Sequence, residues 1–298
     1  MAKNRFLFLM LLCAFVHAAE TGMPFMTLYP SKEIDGHTQF WSIEQDNRGL
    51  IYIGDGYGIQ EFDGANWRLI INANYSFGRS LCKDADGRIY AGSSGMLGFL
   101  EADERGEMQY RSLMEFIPLE DRRFNYVWSV HATPEGIYFQ ANERLFRFHP
   151  PQPGAIDGEW HVDVWRPQND FGYAFWIDQT LYVQQYGIGL MKMVEDSLVV
   201  LPGGGQFADD RIHVMLPFSG RRGHYLIGTF SRGLFDWDGT VFRPWPTAAD
   251  RLLASGTLYA GVVMPDSCFA LGTMANGLII IDREGRLLQH FTQSNGLI

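Results

Sequence analysis

Trp41-Ser-Ile-Glu-Gln-Asp-Asn-Arg-Gly-Leu-Ile-Tyr-Ile-Gly-Asp-Gly-Tyr-Gly-Ile-Gln-Glu-Phe-Asp-Gly-Ala-Asn-Trp-Arg-Leu-Ile70 reads as four short strands joined by three tight turns. Trp41-Ser-Ile-Glu44 alternates as an inner strand should, and Asp46-Asn-Arg-Gly49 turns the chain with Gly available for positive φ. Residues 50–53 form the second strand, Gly54-Asp-Gly-Tyr-Gly58 turns again, and residues 59–62 form the third. Asp63-Gly64 then makes a hairpin turn into the outer strand, 67–70. Four antiparallel strands of about four to six residues are the size of one propeller sheet.

The unit recurs. Ile51-Tyr-Ile-Gly54, Ile89-Tyr-Ala-Gly92, Ile137-Tyr-Phe-Gln140, Leu181-Tyr-Val-Gln184, Tyr225-Leu-Ile-Gly228 and Phe269-Ala-Leu-Gly272 end at intervals of 38, 48, 44, 44 and 44 residues. A near-constant interval of that size, with strand chemistry throughout, marks propeller blades. Asp84-Ala-Asp-Gly87 and Pro134-Glu-Gly136 occupy the first turn of their windows, and Asp238-Gly239 and Glu284-Gly285 match Asp63-Gly64 at the last. The fold expected is all-β: a propeller of four-stranded antiparallel blades, six of them readable.

Outer strands read at 67–70, 108–113, 160–165, 198–201, 241–245 and 287–291, and Phe25-Met-Thr-Leu-Tyr29 reads as a seventh. Seven outer strands against six inner sets predict a seven-bladed ring when the protein is whole, because closing a ring removes exposed sheet edges. The domain then runs from 22 to 298 and continues beyond Ile298 in a longer protein. A complete six-bladed ring, with residues 20–37 as an arm, is the alternative.

Composition narrows the function. With 46% apolar and 14% aromatic residues, the 298-residue chain can bury large cores. A net charge of −10 and scattered basic residues argue against a nucleic-acid partner. Lys3 and Arg5, the apolar run 6–16 and Val16-His-Ala18 read as an export signal, residues 1–18, too short to span a bilayer comfortably. Cys82 and Cys268 remain after cleavage, on unlike strands where a disulfide is awkward, so both are expected as buried free thiols. Export without disulfides suits a periplasmic location.

Five segments carry a family resemblance: Gln45-Asp-Asn-Arg-Gly-Leu-Ile-Tyr52, Gly58-Ile-Gln-Glu-Phe-Asp-Gly-Ala-Asn-Trp67, Asp84-Ala-Asp-Gly-Arg-Ile-Tyr-Ala-Gly92, Leu226-Ile-Gly-Thr-Phe-Ser-Arg-Gly-Leu-Phe235 and Asp282-Arg-Glu-Gly-Arg-Leu-Leu288. Together they resemble the repeats of the periplasmic sensor propellers of bacterial two-component regulators. The resemblance implies a ligand-sensing propeller outside the inner membrane. A small β-domain, a membrane-spanning helix and a cytoplasmic kinase, cyclase or DNA-binding module would follow it, so that the membrane is a partner only through that later segment. This chain departs from the pattern at Gln140 and Gln184, where Gly is usual, and in the loop 150–158.

Catalytic signals are weak. Glu101, Asp103, Glu104 and Glu107 read as a charged turn, Asp84-Ala-Asp86 as hairpin chemistry without the distal Glu of a calcium loop, and Asp209-Asp210 as local ion pairing. The eight histidines lack metal-ligand spacing, no Gly-x-Ser-x-Gly elbow occurs, and no Gly-rich loop leads into a helix. No enzyme activity, cofactor or metal is expected.

Segments leading into inner strands, and loops between second and third strands, sit on one face around a propeller's channel. Here they carry Tyr57, Tyr75, Arg79, Arg122, Asn125, Tyr126, Tyr173, Tyr186, Arg211, His213, Arg232 and Tyr259 as candidate ligand contacts. Aromatic faces with interleaved amide and Arg donors stack on and hydrogen-bond a sugar or other small polar ligand. Trp128 and Trp176 in the same segments read as core. The function expected is a sensor that passes binding on through blade or homodimer geometry. A stand-alone secreted scaffold holding another protein is the alternative.

Overall fold

The computed structural model describes Tyr29, Ile34 and residues 36–151 and 160–297. The chain divides into two compact units, 1–30 and 31–298, and apart from Tyr29 the first lies outside the described residues. The export signal, all but the last residue of the 25–29 strand and most of the loop 150–158 therefore fall outside the description.

Six sheets of four strands follow one another along the second unit, each strand antiparallel to the next in sequence. Blade 1 comprises β1 (Phe40–Gln45), β2 (Ile51–Asp55), β3 (Ile59–Phe62) and β4 (Trp67–Ile70). Blade 2 comprises β5 (Gly78–Lys83), β6 (Ile89–Ser93), β7 (Leu97–Ala102) and β8 (Met108–Ser112), and blade 3 β9 (Val127–Thr133), β10 (Gly136–Ala141), β11 (Leu145–His149) and β12 (His161–Trp165). Blade 4 holds β13 (Phe171–Ile177), β14 (Thr180–Gln185), β15 (Gly189–Val194) and β16 (Ser197–Val200). Blade 5 holds β17 (Ile212–Pro217), β18 (Tyr225–Thr229), β19 (Leu234–Trp237) and β20 (Phe242–Pro244), and blade 6 β21 (Leu258–Val263), β22 (Phe269–Thr273), β23 (Leu278–Ile281) and β24 (Leu287–Phe291).

Aspartates build the turns. Asp84 Oδ1 accepts the backbone N–H of Asp86 and of Arg88, and the Tyr90 hydroxyl donates to its Oδ2. Asp46 does the same for Arg48, Leu50 and Tyr52, so one side chain closes the first turn and ties it to the second strand. At the last turn Asp63 and Asp238 each accept two backbone N–H groups.

The core lies between blades. Period-2 alternation sends Ile89 toward Tyr52 and Ile59 of blade 1, and its neighbour Tyr90 toward Ile137 and Phe139 of blade 3. Tyr138 and Leu145 meet Leu181 and Val183, Tyr182 and Leu190 meet Ile227 and Trp237, and Val214 and Leu226 meet Leu271 and Ile279. Inner strands β5, β9, β13 and β17 are thus packed on both sides. The outer flanks of blades 1 and 6 are open: Ile43 is 68% and Val262 57% exposed.

Helix α1 (Asp250–Gly256) and 3₁₀ turns at Met114–Phe116, Leu119–Asp121 and Gly204–Phe207 were not legible in the blade pattern. The Thr247 amide and hydroxyl both donate to Asp250 at the start of α1, and Leu253 anchors it in the core between blades 5 and 6. Cys82 and Cys268 are buried and free, and burial raises the pKa of both thiols.

Candidate functional site

Each inner strand carries one β-bulge, at the same place in every blade. In blade 1 the pairing passes from Phe40–Asp55 to Ser42–Gly54, leaving Trp41 as the extra residue. The same slip leaves out Arg79 in blade 2, Trp128 in blade 3, His213 in blade 5 and Tyr259 in blade 6. In blade 4 the slip spans Gly172 and Tyr173 opposite Gln184. A bulge re-aims the extra side chain out of the ladder. Trp41, Arg79, Trp128, Tyr173, His213 and Tyr259 together line one concavity of about 190 Å³.

The residue opposite each bulge is the one that recurs at the end of the second strand. A Cβ on Gly54 would sit 2.7 Å from the Gly78 carbonyl oxygen, on Gly92 2.3 Å from a Val127 methyl, and on Gly228 2.4 Å from a Leu258 methyl. Glycine at these positions lets the next blade approach closely. Gln184 breaks the pattern because it faces Gly172 and has partners. It accepts from the Ile212 amide at 2.9 Å and donates to the Phe207 and Asp210 carbonyls at 2.8 and 2.6 Å.

The bulged side chains form a chain of rings. Trp41 meets Phe77 at 5.1 Å between centroids, Phe77 meets Tyr126 at 5.4 Å, and Tyr126 meets Trp128 edge-on at 5.6 Å. Trp128 meets Tyr173 at 5.7 Å, and His213 lies 5.4 Å from both Tyr173 and Tyr259. These are favourable aromatic separations. Arg79 enters the chain from blade 2, its guanidinium carbon 3.8 Å from the Trp128 centroid, 5.0 Å from Tyr126 and 5.1 Å from Trp41. Its Nε is buried without a hydrogen-bond partner.

A wider concavity of about 340 Å³ shares Arg79, Trp128, Tyr173, His213 and Tyr259 and adds Asn125, Asn142, Glu143, Asp170, Tyr186 and Arg211. Glu143 accepts from the Asn125 amide and side chain, and Asn142 accepts from the Trp128 indole N–H. His213 Nδ1 bonds the Tyr259 carbonyl at 3.2 Å, while Nε2 is buried without a partner. Burial pushes the His213 pKa below its ordinary value against the pull of that carbonyl, so the ring is neutral, Nδ1 donates and Nε2 is left as an acceptor. Burial raises the Tyr173 and Tyr186 pKa values, which keeps both hydroxyls protonated.

Of the candidate contacts, Arg79, Asn125, Tyr173, Tyr186, Arg211, His213 and Tyr259 meet in this concavity, and Tyr126 packs edge-on against Trp128 in its wall. Four lie elsewhere. Tyr57 packs on His37, and Tyr75, 80% exposed, projects from the connection between blades 1 and 2. Arg122 donates to the Ile117 and Glu115 carbonyls and so holds its own loop. Arg232 pairs with Asp210 at 3.3 Å and lines a separate concavity beside α1. Trp128 corrects the expectation that it is core, because the bulge turns it onto the wall, whereas Trp176 does pack against the cluster between blades 3 and 4. The sequence reading missed Trp41, Asn142, Glu143 and Asp170; the signal for Trp41 was its place 13 residues before Gly54, the same offset as Arg79 before Gly92.

No sequence-family profile matches the chain, and no curated protein is recognisably similar to it in sequence. Its fold recurs widely among solved structures. The extracellular domain of the hybrid two-component system BT4673 from B. thetaiotaomicron superposes with a TM-score of 0.64 at 18% identity, over 91% of this chain and 35% of that one. This chain thus spans about a third of that extracellular domain. The WD40 propeller domain of Doa1 matches with a TM-score of 0.62 at 13% identity, over 86% of this chain and 84% of that one. Virginiamycin B lyase from Staphylococcus aureus matches with a TM-score of 0.62 at 10% identity, over 89% and 87%. At these identities the likeness is one of fold. Among the described residues no helix is long and apolar enough to cross a membrane, and no cluster of three or more metal-ligating side chains occurs.

Proposed function

We propose that this chain is the ligand-sensing propeller of an exported signal-transduction protein, taking a small polar molecule or glycan fragment at the mouth of its channel. The observation that carries this reading is a concavity walled by side chains from blades 2 to 6, sharing Arg79, Trp128, Tyr173, His213 and Tyr259 with the smaller one that Trp41 of blade 1 also lines. A molecule bound there touches side chains of five blades. It therefore has different contacts in any two arrangements of the blades, which is the requirement for shifting a population between them.

The resemblance of the repeats to sensor propellers and the fold shared with an extracellular two-component domain support the same reading. The open flanks at Ile43 and Val262 support a seventh blade between blades 6 and 1, supplied by a longer protein that also carries the membrane anchor and output module.

Thermal-shift screening of the chain against sugars, glycan fragments and small metabolites tests the binding. A stabilising ligand whose effect disappears in Tyr173→Ala is expected. A screen in which every stabilising compound acts equally on the variant refutes the site. The relay is tested separately on the full-length gene product, which must contain a membrane-spanning segment beyond the propeller.

A further inference from the structure

The Arg79 guanidinium and the mixed charge around it define a ligand class. This inference rests on the concavity being a binding site. Arg79 lies among the Trp41, Tyr126 and Trp128 rings, its Nε is buried and unpartnered, and among the described residues no carboxylate is paired with it. Ring faces stabilise the cation without satisfying its N–H groups. A half-buried guanidinium left in this state favours an acceptor with full negative charge in the plane of its fork.

The rest of the concavity limits how much negative charge can enter. Glu143, held by Asn125, and Asp170 on the rim offset the charges of Arg79 and Arg211. A polyanion would meet both carboxylates. Hydroxyl groups would not: a carboxylate accepts from them, and so does the orphaned Nε2 of the neutral His213. The Tyr173 and Trp128 rings in its wall offer apolar surface to the C–H groups of a saturated ring. At about 340 Å³ the concavity is at the small end of ligand sites, which run from about 300 to 1,000 Å³.

We propose that the ligand is a hydroxylated ring bearing a single carboxylate, a uronic acid or a glycan end carrying one, with the carboxylate on Arg79 and a hydroxyl donating to His213.

The test compares methyl β-glucuronide with methyl β-glucoside, which differ only at the carboxylate, by saturation-transfer NMR and calorimetry at low salt. The wild-type chain is expected to bind the glucuronide at least tenfold more tightly. Arg79→Gln abolishes that preference, Arg79→Lys retains part of it, and His213→Phe weakens both glycosides alike. Urea midpoints of each variant confirm that it is folded. Equal binding of the two glycosides by wild type, or an acid preference that survives Arg79→Gln, overturns the ligand class and leaves the binding site standing. If neither glycoside binds, the class is again overturned, and a glycan array decides the site: a hit lost in Tyr173→Ala preserves it, and an empty array removes it.

Discussion

Gln184 and Gly172 face each other across the bulge of blade 4, and a Cβ on Gly172 would come within 2.6 Å of the Gln184 side-chain oxygen. The glutamine occupies space that in blades 1, 2 and 5 is kept clear by glycine, and uses it to bond the backbone of the next blade. The two residues are therefore coupled. Gln184→Gly leaves a buried amide and two carbonyls without this partner and is expected to cost about 3 kcal/mol. Gly172→Ala costs about 1–3 kcal/mol by overpacking. In the Gln184→Gly background the alanine is expected to cost under about 1 kcal/mol, a non-additivity that a double-mutant cycle in urea measures directly. Additive losses would refute the coupling.

The turn aspartates make a second, simpler prediction. Asp84→Ala removes the acceptor for two amides and the Tyr90 hydroxyl, and about 1–2 kcal/mol of stability should go with it. Asp86, two residues on, contributes only its backbone amide to that turn. Asp86→Ala should stay within about 0.5 kcal/mol of wild type.

Stability should fall with mild acid. Burial holds the pKa of both His131 and His213 below the ordinary 6.5. In the unfolded chain these rings protonate first as the pH falls, so the unfolded state binds more protons in that window. Their contribution is complete above 6.5 and declines as the pH drops toward the folded values. Urea midpoints at pH 7.5 and 5.5 should differ, and His131→Gln, whose amide can still reach the Ala174 carbonyl that His131 bonds at 2.8 Å, should shrink the difference. An unchanged slope would show that His131 does not titrate in this range.

The open flank is testable by charge. Ile43→Asp should alter the stability of this chain by no more than about 0.5 kcal/mol, because the position faces water. Ile227→Asp, at a fully buried site between blades 4 and 5, should unfold it. In a longer protein with a seventh blade, Ile43→Asp should become as damaging as a buried charge.

Much of the fold could be read from the chain because each blade is specified locally. Asp-Gly turns and alternating strands announce themselves within a window of thirty residues, and strands β4 and β24 lie where the pattern put them. The site was harder. A bulge is a property of pairing between strands, and nothing in Trp41 or Trp128 alone distinguishes a wall residue from a core one. Arg122 and Arg232 resemble Arg79 by type, yet their charges are taken up by the Glu115 and Ile117 carbonyls and by Asp210. Which arginine is left unneutralised depends on distances that composition does not contain. The helix α1, at seven residues, is too short to show a period.

The bulges separate two kinds of information in one chain. Positions 41, 79, 128, 173, 213 and 259 stand outside the regular ladder, so on the function proposed above rewriting them is expected to change ligand recognition while the inter-blade cores keep their instructions. A library randomised at those six places should yield folded propellers of differing selectivity, and a lineage descended by duplication of one blade could diversify its taste for ligands six letters at a time.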